Sequence, residues 1–458
     1  MLITLLAISC TSITGPDEPL AKDVTALVDA DRCKASVVKL AGFGSRHSLS
    51  ETDSETRGTG AARRWLKSEL EVFAKASDGR LKVEFEEFDA PKLPRLPNGA
   101  RLVNVVATLP GNMPEASRRV VYVVGHYDSI NGTMGDPKGD APGANDDASG
   151  TAVVLECCRV LAGRKLDATV VFLCTAAEEQ GLVGAKYHAD TLATKKLYDQ
   201  VFVLNNDIVG DPSIPFGVPA PGSPPTTTTD SGAFVRLFSE GIPKNASAEE
   251  LARIRTQGAE SDSPSRQLAR FVAAVAQREG MAFKPRMIFR QDRFLRGGDH
   301  SAFNDAGFAG VRFTVPGEDY SRQHATVIDK EGKPYGDLPE FVSGEYIAGV
   351  ARLNAASIVH LANAPTPPAN TVMLTRALTQ TATLRWDRPP EPDVAGYEIM
   401  IRETTAPDWN ILQRIEGTAD KTSTITLALS KDNYFFGVRA FDKDGYRSPV
   451  SFCWASKD

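Results

Sequence analysis

Strand-like and helix-like patterns alternate through most of the chain. Continuous, mainly apolar runs occupy residues 120–125, 168–174 and 200–204, and residues 150–163 and 182–193 between them have the spacing of helices. Strands without polar alternation are typical of a parallel sheet that is buried on both faces. The pattern therefore predicts an α/β domain whose sheet is covered by helices on both sides.

The pattern changes after a proline-rich stretch, ANAPTPPANTV. Short strands of alternating apolar and polar residues follow, separated by turn-rich segments, as in a β-sandwich. Trp386, Tyr397 and the Tyr434 segment stand in this strand order as they do in a fibronectin type III domain, which the segment resembles. We expect a first domain at residues 21–363 and a small all-β sandwich at residues 364–458.

The first residues have the character of a targeting segment. Residues 2–8 are mainly apolar and Cys10 follows soon after, although no Lys or Arg precedes them as a secretory signal usually requires. The run is too short to cross a bilayer. We expect residues 1–20 to be an export signal or a lipoprotein-like leader. The mature protein would then be periplasmic, extracellular or lipid-anchored at the cell envelope, with no integral membrane span.

Composition narrows the range of functions. Of the 458 residues, 42% are hydrophobic and 24% are charged, which is typical of a soluble globular protein. The net charge of -6 provides no basic surface for nucleic acid. The six cysteines include no CxxC pair, so we expect any metal to be held by nitrogen and oxygen ligands.

Acidic and histidine side chains follow three of the predicted strands. His126 and Asp128 come after the first strand, Glu178 and Glu179 after the second, and Asp207 directly after the third. In open α/β sheets, ligands bind at the carboxyl ends of the strands. Several carboxylates at one such edge require a compensating positive charge.

A fourth acidic segment, PGANDDASG, precedes a predicted helix and contains Asn145, Asp146 and Asp147. Each residue alone has an ordinary explanation, since Asp147 could cap the helix and a single histidine after a strand is usually structural. The chain has only six histidines, however, and the joint pattern favours a pair of divalent metals. Zinc accepts histidine nitrogen with carboxylate oxygen, whereas magnesium and calcium prefer all-oxygen shells.

The motifs together resemble a known family. GHYDS, PGANDDASG, CTAAEEQGLVGA, NND and QHATVID occur in this order, and the set resembles the co-catalytic di-zinc aminopeptidases of the bacterial leucyl-aminopeptidase type over residues 42–362. The resemblance implies a zinc exopeptidase fold with a mixed, mostly parallel sheet, and two zinc ions. It also implies peptide substrates with a free N-terminus.

The same resemblance implies five metal ligands. His126 and Asp207 would complete the shell of one zinc ion, and Glu179 and His324 that of the other. Asp146 would bridge the two ions.

Further roles follow from the resemblance beside the ligands. Asp128 would hold the imidazole of His126 in its ligating tautomer, and Glu178 would act as general base. Relatives often carry an acid where this chain has Asn145. Asp299 and His300 would lie beside the site and help to shape the pocket, and His300 is the competing candidate for the ligand role of His324.

Two alternatives to an aminopeptidase remain at this point. One is an acyltransferase similar to glutaminyl cyclase, which shares most of these ligands and uses one zinc ion. The other is a non-catalytic binding homologue whose working part is the fibronectin-like domain. The side-chain preference is not set by the motifs, because the pocket walls are expected to come from loops such as residues 211–232 and 283–298.

Overall fold

A computed structural model of the chain describes residues 18–214, 216, 233–417 and 421–457. Most of the predicted leader and most of the predicted pocket loop at residues 211–232 lie outside the described residues. Tertiary contacts divide the chain into a larger unit, Leu20–Asn363, and a smaller unit that contains Ala364–Asp458.

The helices and strands of the larger unit follow one another in the order that the sequence pattern predicts. Its helices are α1 (Lys22–Thr25), α2 (Ala30–Ala41), α3 (Gly58–Ala74), α4 (Ala148–Leu161), α5 (Val183–Lys195), α6 (Ala248–Gln257), α7 (Pro264–Arg278), α8 (Asp299–Asp305) and α9 (Gly344–Asn363). Its strands are β1 (Lys82–Ala90), β2 (Ala100–Leu109), β3 (Arg119–His126), β4 (Thr169–Thr175), β5 (Gln200–Asn206), β6 (Phe234–Ser239), β7 (Lys284–Ile288), β8 (Ala309–Thr314), β9 (Ile328–Lys330) and β10 (Lys333–Tyr335).

One mixed sheet contains the first eight strands, in the order β1-β2-β4-β3-β5-β8-β6-β7. Its centre, β4-β3-β5-β8, is parallel throughout. The antiparallel hairpin of β1 and β2 extends it on one side. On the other side, β6 and β7 are parallel to each other while β6 is antiparallel to β8. The predicted mixed, mostly parallel sheet is confirmed.

Helices cover both faces of this sheet. Alternate residues of β3, including Tyr122 and Val124, share a core with Ala185 and Ala189 of α5 and with Phe303 of α8. Neighbouring residues of a strand point to opposite faces, and α4 and α9 also contact β3. All eight residues of β3 are buried, so its lack of polar alternation follows from cover on both sides.

Two glycines allow α4 to begin against the carboxyl ends of the strands. A Cβ atom on Gly125 of β3 would lie 2.7 Å from the carbonyl carbon of Gly150, in the first turn of α4. A Cβ atom on Gly150 would lie 2.1 Å from the carbonyl oxygen of Asn206, at the end of β5. Both approaches are too close for any side chain, and they bring the segment before α4 next to the ends of β3 and β5.

The smaller unit is built from β-strands. They are β11 (Ala369–Leu374), β12 (Ala382–Asp387), β13 (Val394–Glu403), β14 (Asn410–Glu416), β15 (Thr422–Leu427), β16 (Tyr434–Asp442), β17 (Ser451–Phe452) and β18 (Trp454–Ser456). They form two four-stranded sheets, β15-β12-β11-β18 and β14-β13-β16-β17. Trp386 from one sheet packs edge-on against Tyr397 from the other, with ring centroids 5.2 Å apart, inside a shared hydrophobic core. The resemblance to a fibronectin type III domain stays a prediction.

Among the described residues, no helix has both the length and the apolar character that crossing a membrane requires.

Candidate active site

Three adjacent parallel strands deliver acidic and histidine side chains to one edge of the sheet. His126 is the last residue of β3, Glu178 and Glu179 follow the end of β4, and Asp207 follows the last residue of β5. Because β3 lies between β4 and β5, the ends of the three strands are neighbours. Asp146 reaches the same place from the segment that leads into α4 at Ala148.

The side chains form two clusters of possible metal ligands. One contains His126, Glu178 and Asp207, and the other contains Asp146, Glu179 and His324, with the ligand atoms of each cluster within 4.8 Å of one another. Asp146 joins the two clusters, since its Oδ1 lies 3.1 Å from Nε2 of His126 and its Oδ2 lies 2.9 Å from Nε2 of His324. The same His324 nitrogen lies 2.9 Å from Oε1 of Glu179.

Several atoms of these clusters are suited to a metal rather than to one another. Although they lie 2.9 to 3.1 Å from carboxylate or imidazole atoms of the clusters, Nε2 of His126, Oε1 of Glu179 and Nε2 of His324 are buried and have no partner in hydrogen-bonding geometry among the described residues. Buried polar atoms normally have partners, and imidazole nitrogen and carboxylate oxygen are the atoms that zinc binds. Burial also raises the pKa values of Glu179 and Asp207, so their anionic forms need a nearby cation. The residues therefore fit a zinc centre.

Asp128 fixes the two glutamates and the first histidine. The backbone N–H groups of Glu178 and Glu179 donate to Oδ1 and Oδ2 of Asp128 at 3.1 and 3.2 Å. Nδ1 of His126 lies 3.2 Å from the backbone carbonyl oxygen of Asp128 and 3.5 Å from its Oδ1, which leaves Nε2 directed at Asp146. Asp128 therefore orients the imidazole, and its buried carboxylate holds the backbone from which both glutamate side chains project.

The two adjacent glutamates have different surroundings. The side chain of Glu179 is buried and contacts His324. Glu178 is partly exposed and lines a cavity beside His126 and Asp207. Burial of its carboxyl group raises the pKa of Glu178 well above its usual value. Glu178 is therefore accessible from the cavity, and its carboxyl group holds a proton more readily than an exposed glutamate does.

A buried arginine supports Asp207. Nη2 of Arg312, on β8, donates to Oδ1 of Asp207 at 2.7 Å, and Nη1 of Arg312 donates to Asp292 at 3.1 Å. Arg312 is fully buried, and this pairing fixes the rotamer of Asp207. Arg312 is not among the site residues that the sequence motifs indicate. The available signal was a single charged residue inside the otherwise apolar strand GVRFTV.

A second buried carboxylate holds the segment that carries Asp146. Oδ1 and Oδ2 of Asp337 accept from the backbone N–H groups of Asn145 and Asp146, both at 2.7 Å, and burial raises the pKa of Asp337 to about 7. Asp147 caps α4 by accepting from the N–H of Gly150, and it also accepts from the N–H of His126. Nothing in the sequence around Asp337 indicates its role, because the contact joins positions distant along the chain.

The structure brings His324, and not His300, to the acidic residues. Nε2 of His300 lies 2.9 Å from the carbonyl oxygen of Gln291, and burial lowers the pKa of His300 to about 4. Asp299 accepts a short hydrogen bond from the hydroxyl of Thr175, and burial raises the pKa of Asp299 to about 7. Neither His300 nor Asp299 is among the residues that line the cavity, because both side chains pack inward at the start of α8.

The remaining histidines of the described chain lie away from the two clusters. His47 contacts the carbonyl oxygen of Met134 at 3.1 Å, and His188 contacts Glu86 at 2.9 Å. His360 lies 2.7 Å from Glu279. All three are buried, and each contacts a partner within the chain, as expected of a histidine with a structural role.

A cavity of about 540 Å³ adjoins both clusters. Its lining residues come from the segments around the strand ends and from the region before α8, and they are Arg95, Met134, Asp146, Glu178, Glu179, Gly181, Leu182, Lys186, Asp207, Arg293, Leu295, Arg296, Gly297, Gln323 and His324. The expected wall at residues 283–298 is therefore present in part. The volume is suited to a small ligand or to the end of a peptide.

Comparison with known proteins agrees with this geometry. A probable zinc metalloprotease of Leptosphaeria maculans is 39% identical over 429 residues, which cover 93% of this chain and 94% of the relative. A probable zinc metalloprotease of Pyricularia oryzae is 39% identical over 430 residues, which cover 93% of this chain and 82% of the relative. Both alignments extend over nearly the whole chain.

The fold is also similar to that of a solved enzyme. The aminopeptidase LapA of Legionella pneumophila superposes with a TM-score of 0.51 at 15% sequence identity, over 79% of this chain and 80% of that chain. A sequence profile described as "Peptidase family M28" matches residues 104–335, which contain all the residues of the two clusters. The resemblance seen in the motifs is confirmed, and the chain belongs to peptidase family M28.

Proposed function

We propose that the protein is an aminopeptidase that binds two zinc ions and removes residues from peptides with a free N-terminus. The observation that carries the proposal is the position of Asp146 between His126 and His324, with one carboxylate oxygen toward each imidazole. This arrangement is suited to a carboxylate that bridges two metals. The names of the zinc metalloprotease relatives and of the aminopeptidase that shares the fold support the same function.

The proposed ligand sets follow the two clusters, with one difference. Asp207 and His126 would hold the first ion, Glu179 and His324 would hold the second, and Asp146 would bridge them. Glu178 lies within ligand range of the first pair, but its partial exposure to the cavity favours a role in proton transfer. Bound zinc would polarise a substrate carbonyl and acidify a coordinated water.

Glu178 would perform the proton transfers of the reaction. Its carboxylate faces the cavity where a scissile bond would lie, and its raised pKa suits a group that accepts a proton and later releases it to the leaving amine. The hydrogen bonds from the N–H groups of Glu178 and Glu179 to Asp128 keep the backbone fixed while this proton moves. Arg312 would orient Asp207 and partly offset the effect of burial, which raises the pKa of Asp207.

The test is hydrolysis of matched peptides by the purified, zinc-loaded protein. We expect release of the N-terminal residue from a free tetrapeptide and no release from the same peptide after N-acetylation. Cleavage of the acetylated peptide at internal bonds would contradict an exopeptidase. Cyclisation of N-terminal glutamine without peptide hydrolysis, together with one zinc ion per chain, would favour the glutaminyl-cyclase-like alternative. Absence of both reactions in a zinc-loaded protein would favour the binding homologue.

We also propose that the protein is exported, on the basis of the apolar run at residues 2–8. N-terminal sequencing of the protein from fractionated cells tests this. A mature chain in the envelope or medium that begins after about residue 10 is expected, whereas an intact Met1 on protein in the cytosol would contradict export.

A further inference from the structure

Three basic side chains from separate parts of the larger unit line the cavity. Arg95 belongs to the connection between β1 and β2, Lys186 belongs to α5, and Arg296 belongs to the connection between β7 and α8. All three are exposed to solvent. Three cations from distant segments therefore meet at one cavity, on the side of the sheet where the ligand clusters lie.

None of these three cations forms an ion pair with an acidic side chain of the described chain. Nη1 of Arg95 donates to the backbone carbonyl of Glu179 at 2.5 Å, and Nζ of Lys186 donates to the backbone carbonyl of Gly181 at 2.9 Å. The guanidinium group of Arg296 lies 5.6 Å from the ring centroid of Tyr320. These contacts position the side chains while leaving their charges without a carboxylate partner.

A fourth basic residue of the cavity lining, Arg293, forms ion pairs within the chain. Arg293 pairs with Asp292 at 3.0 Å and with Glu318 at 2.5 Å. Its charge is therefore balanced by carboxylates of the chain itself. Arg95 and Lys186 line the same cavity and have no such partner among the described residues.

The carboxylates of the lining do not supply that partner either. They are Asp146, Glu178, Glu179 and Asp207, and all four belong to the proposed zinc site. Metal ions bound there would balance those negative charges. The three basic side chains, which together form the basic wall of the cavity, would then present an excess of positive charge to any peptide that enters it.

We propose that this wall binds a carboxylate of the substrate, so that the enzyme prefers peptides bearing an acidic group within reach of the scissile bond. The proposal rests on the proposed function, because the same cavity is the substrate site. The carboxylate could be the side chain of an N-terminal aspartate or glutamate, or the terminal carboxylate of a dipeptide. Arginine and lysine both bind carboxylates by charge-assisted hydrogen bonds.

Two pairs of substrates separate the two sources of the carboxylate. The first pair compares amidated peptides that begin with glutamate and with glutamine, and the second compares leucyl-alanine with leucyl-alanine amide. We expect kcat/KM to be about tenfold higher for the acidic member of at least one pair, as is usual for one charge-assisted hydrogen bond at a partly exposed site. The ratio should fall as salt is added, because exposed charges are screened.

Single substitutions then assign the preference to the wall. Lys186→Met and Arg296→Met should each lower the acidic-to-neutral ratio severalfold. The matched control is Lys195→Met, which removes an exposed lysine from the last turn of the same helix α5, outside the cavity lining. It should leave the ratio unchanged.

Binding without turnover keeps this proposal separate from the proposed function. Calorimetric titration of the zinc-loaded protein with the same glutamate and glutamine peptides, and with the leucyl-alanine pair, should give a severalfold lower Kd for an acidic member even in a protein that hydrolyses neither. Hydrolysis with an acidic-to-neutral kcat/KM ratio at or below one in both pairs would overturn the proposed acidic preference and leave the proposed aminopeptidase function intact. Equal Kd values in both pairs, or ratios that Lys186→Met and Arg296→Met leave unchanged, would overturn it as well.

Discussion

Two regions of this chain bury carboxylates, and they differ in whether arginine side chains supply the compensating positive charge. In the smaller unit, Glu398 of β13 is fully buried. Its two oxygens lie 2.6 Å from Nε of Arg439 and 3.1 Å from Nε of Arg447, and Arg414 lies 3.8 Å away. The chain itself supplies the positive charge that this buried carboxylate needs.

The edge of the large sheet lacks such compensation. It collects Asp146, Glu178, Glu179 and Asp207, and Arg312 is the one arginine or lysine of the described chain in ion-pair contact with any of them. The other close contacts are with histidine nitrogens. A structural carboxylate is paired with arginine, whereas these carboxylates face one another and imidazole. The comparison indicates that their compensating charge comes from bound metal.

The largest effect should come from the partly exposed glutamate of the site. Glu178→Gln is nearly isosteric but cannot accept a proton, so we expect kcat to fall by about 10² to 10⁴-fold while the zinc content stays the same. Glu179→Gln should instead lower the zinc content first, because that side chain contacts His324 inside the second cluster. Elemental analysis and kcat at saturating zinc are measured for both variants. Loss of zinc from Glu178→Gln would require the two roles to be exchanged.

The next effect concerns the buried glutamate of the smaller unit. Glu398→Gln leaves the surrounding arginines without their counter-charge and should lower the free energy of unfolding of that unit by about 3 kcal/mol, as breaking a buried ion pair does. Zinc content should not change. Urea denaturation followed by tryptophan fluorescence measures this, since Trp386, Trp409 and Trp454 lie in this unit.

Glu403→Gln is the matched control for Glu398→Gln, because Glu403 ends the same strand and is exposed. It should change stability by less than about 0.5 kcal/mol. If Glu398→Gln were as stable as Glu403→Gln, the arginine cluster would not be a structural ion-pair network. The contrast between the two acidic regions would then no longer hold.

A smaller effect should appear in the pH dependence of the metal-free protein. Burial raises the pKa values of Asp299 and Asp337 to about 7, whereas an unfolded aspartate has a pKa of about 3.9. Between these values the folded protein keeps protons that the unfolded chain has released, so stability falls as pH rises. We expect urea midpoints of the larger unit to decrease from pH 4.5 to 6.5, each pH unit per group costing up to about 1.4 kcal/mol.

Zinc should reduce this slope, because nearby cations stabilise the anionic forms of both aspartates. Asp337→Asn should also flatten the slope in the metal-free protein, since it removes one of the buried carboxyl groups whose pKa is raised in the folded state. The urea midpoint of the metal-free wild-type protein could instead rise with pH over this range. That result would contradict the claim that these aspartates are buried without a compensating positive charge.

The smallest effect is expected from removal of the smaller unit. All residues of the two clusters and of the cavity lining precede residue 330, so a chain ending at Asn363 should hydrolyse small aminoacyl-nitroanilides within about twofold of the full-length rate, because none of these residues belongs to the smaller unit. Zinc content is measured in parallel. A soluble, zinc-loaded and inactive shortened chain would show that the smaller unit contributes to the site.

The sequence predicted the sheet, the flanking helices and the convergence of the acidic segments. The strand ends could be predicted because the continuous apolar runs of β3, β4 and β5 stop at Gly125, Cys174 and Leu204, one or two residues before each strand ends. The residues that support the ligands could not, since Asp337 and Arg312 act across long separations in the chain. A local sequence pattern does not predict contacts between residues that are far apart in the chain.

The basic residues of the cavity wall could not be predicted from the sequence either. Arg95, Lys186 and Arg296 are ordinary surface residues in the sequence, and only the tertiary structure shows that they share one cavity. Asp299 and His300 stand next to one another in a polar segment that suggests a site. The start of α8 turns them inward, a local conformation that the motif alone does not determine.

The central claim is that the acidic edge of the sheet is a two-zinc centre, and zinc stoichiometry tests it most directly. Elemental analysis of the zinc-saturated, desalted full-length protein should give two ions per chain, and His126→Ala should give one, because Glu179, His324 and Asp146 remain. Glu398→Gln, whose carboxylate is paired with arginine, should still give two. A wild-type protein that retains no zinc, or a His126→Ala variant that retains two tightly bound ions, would contradict the account.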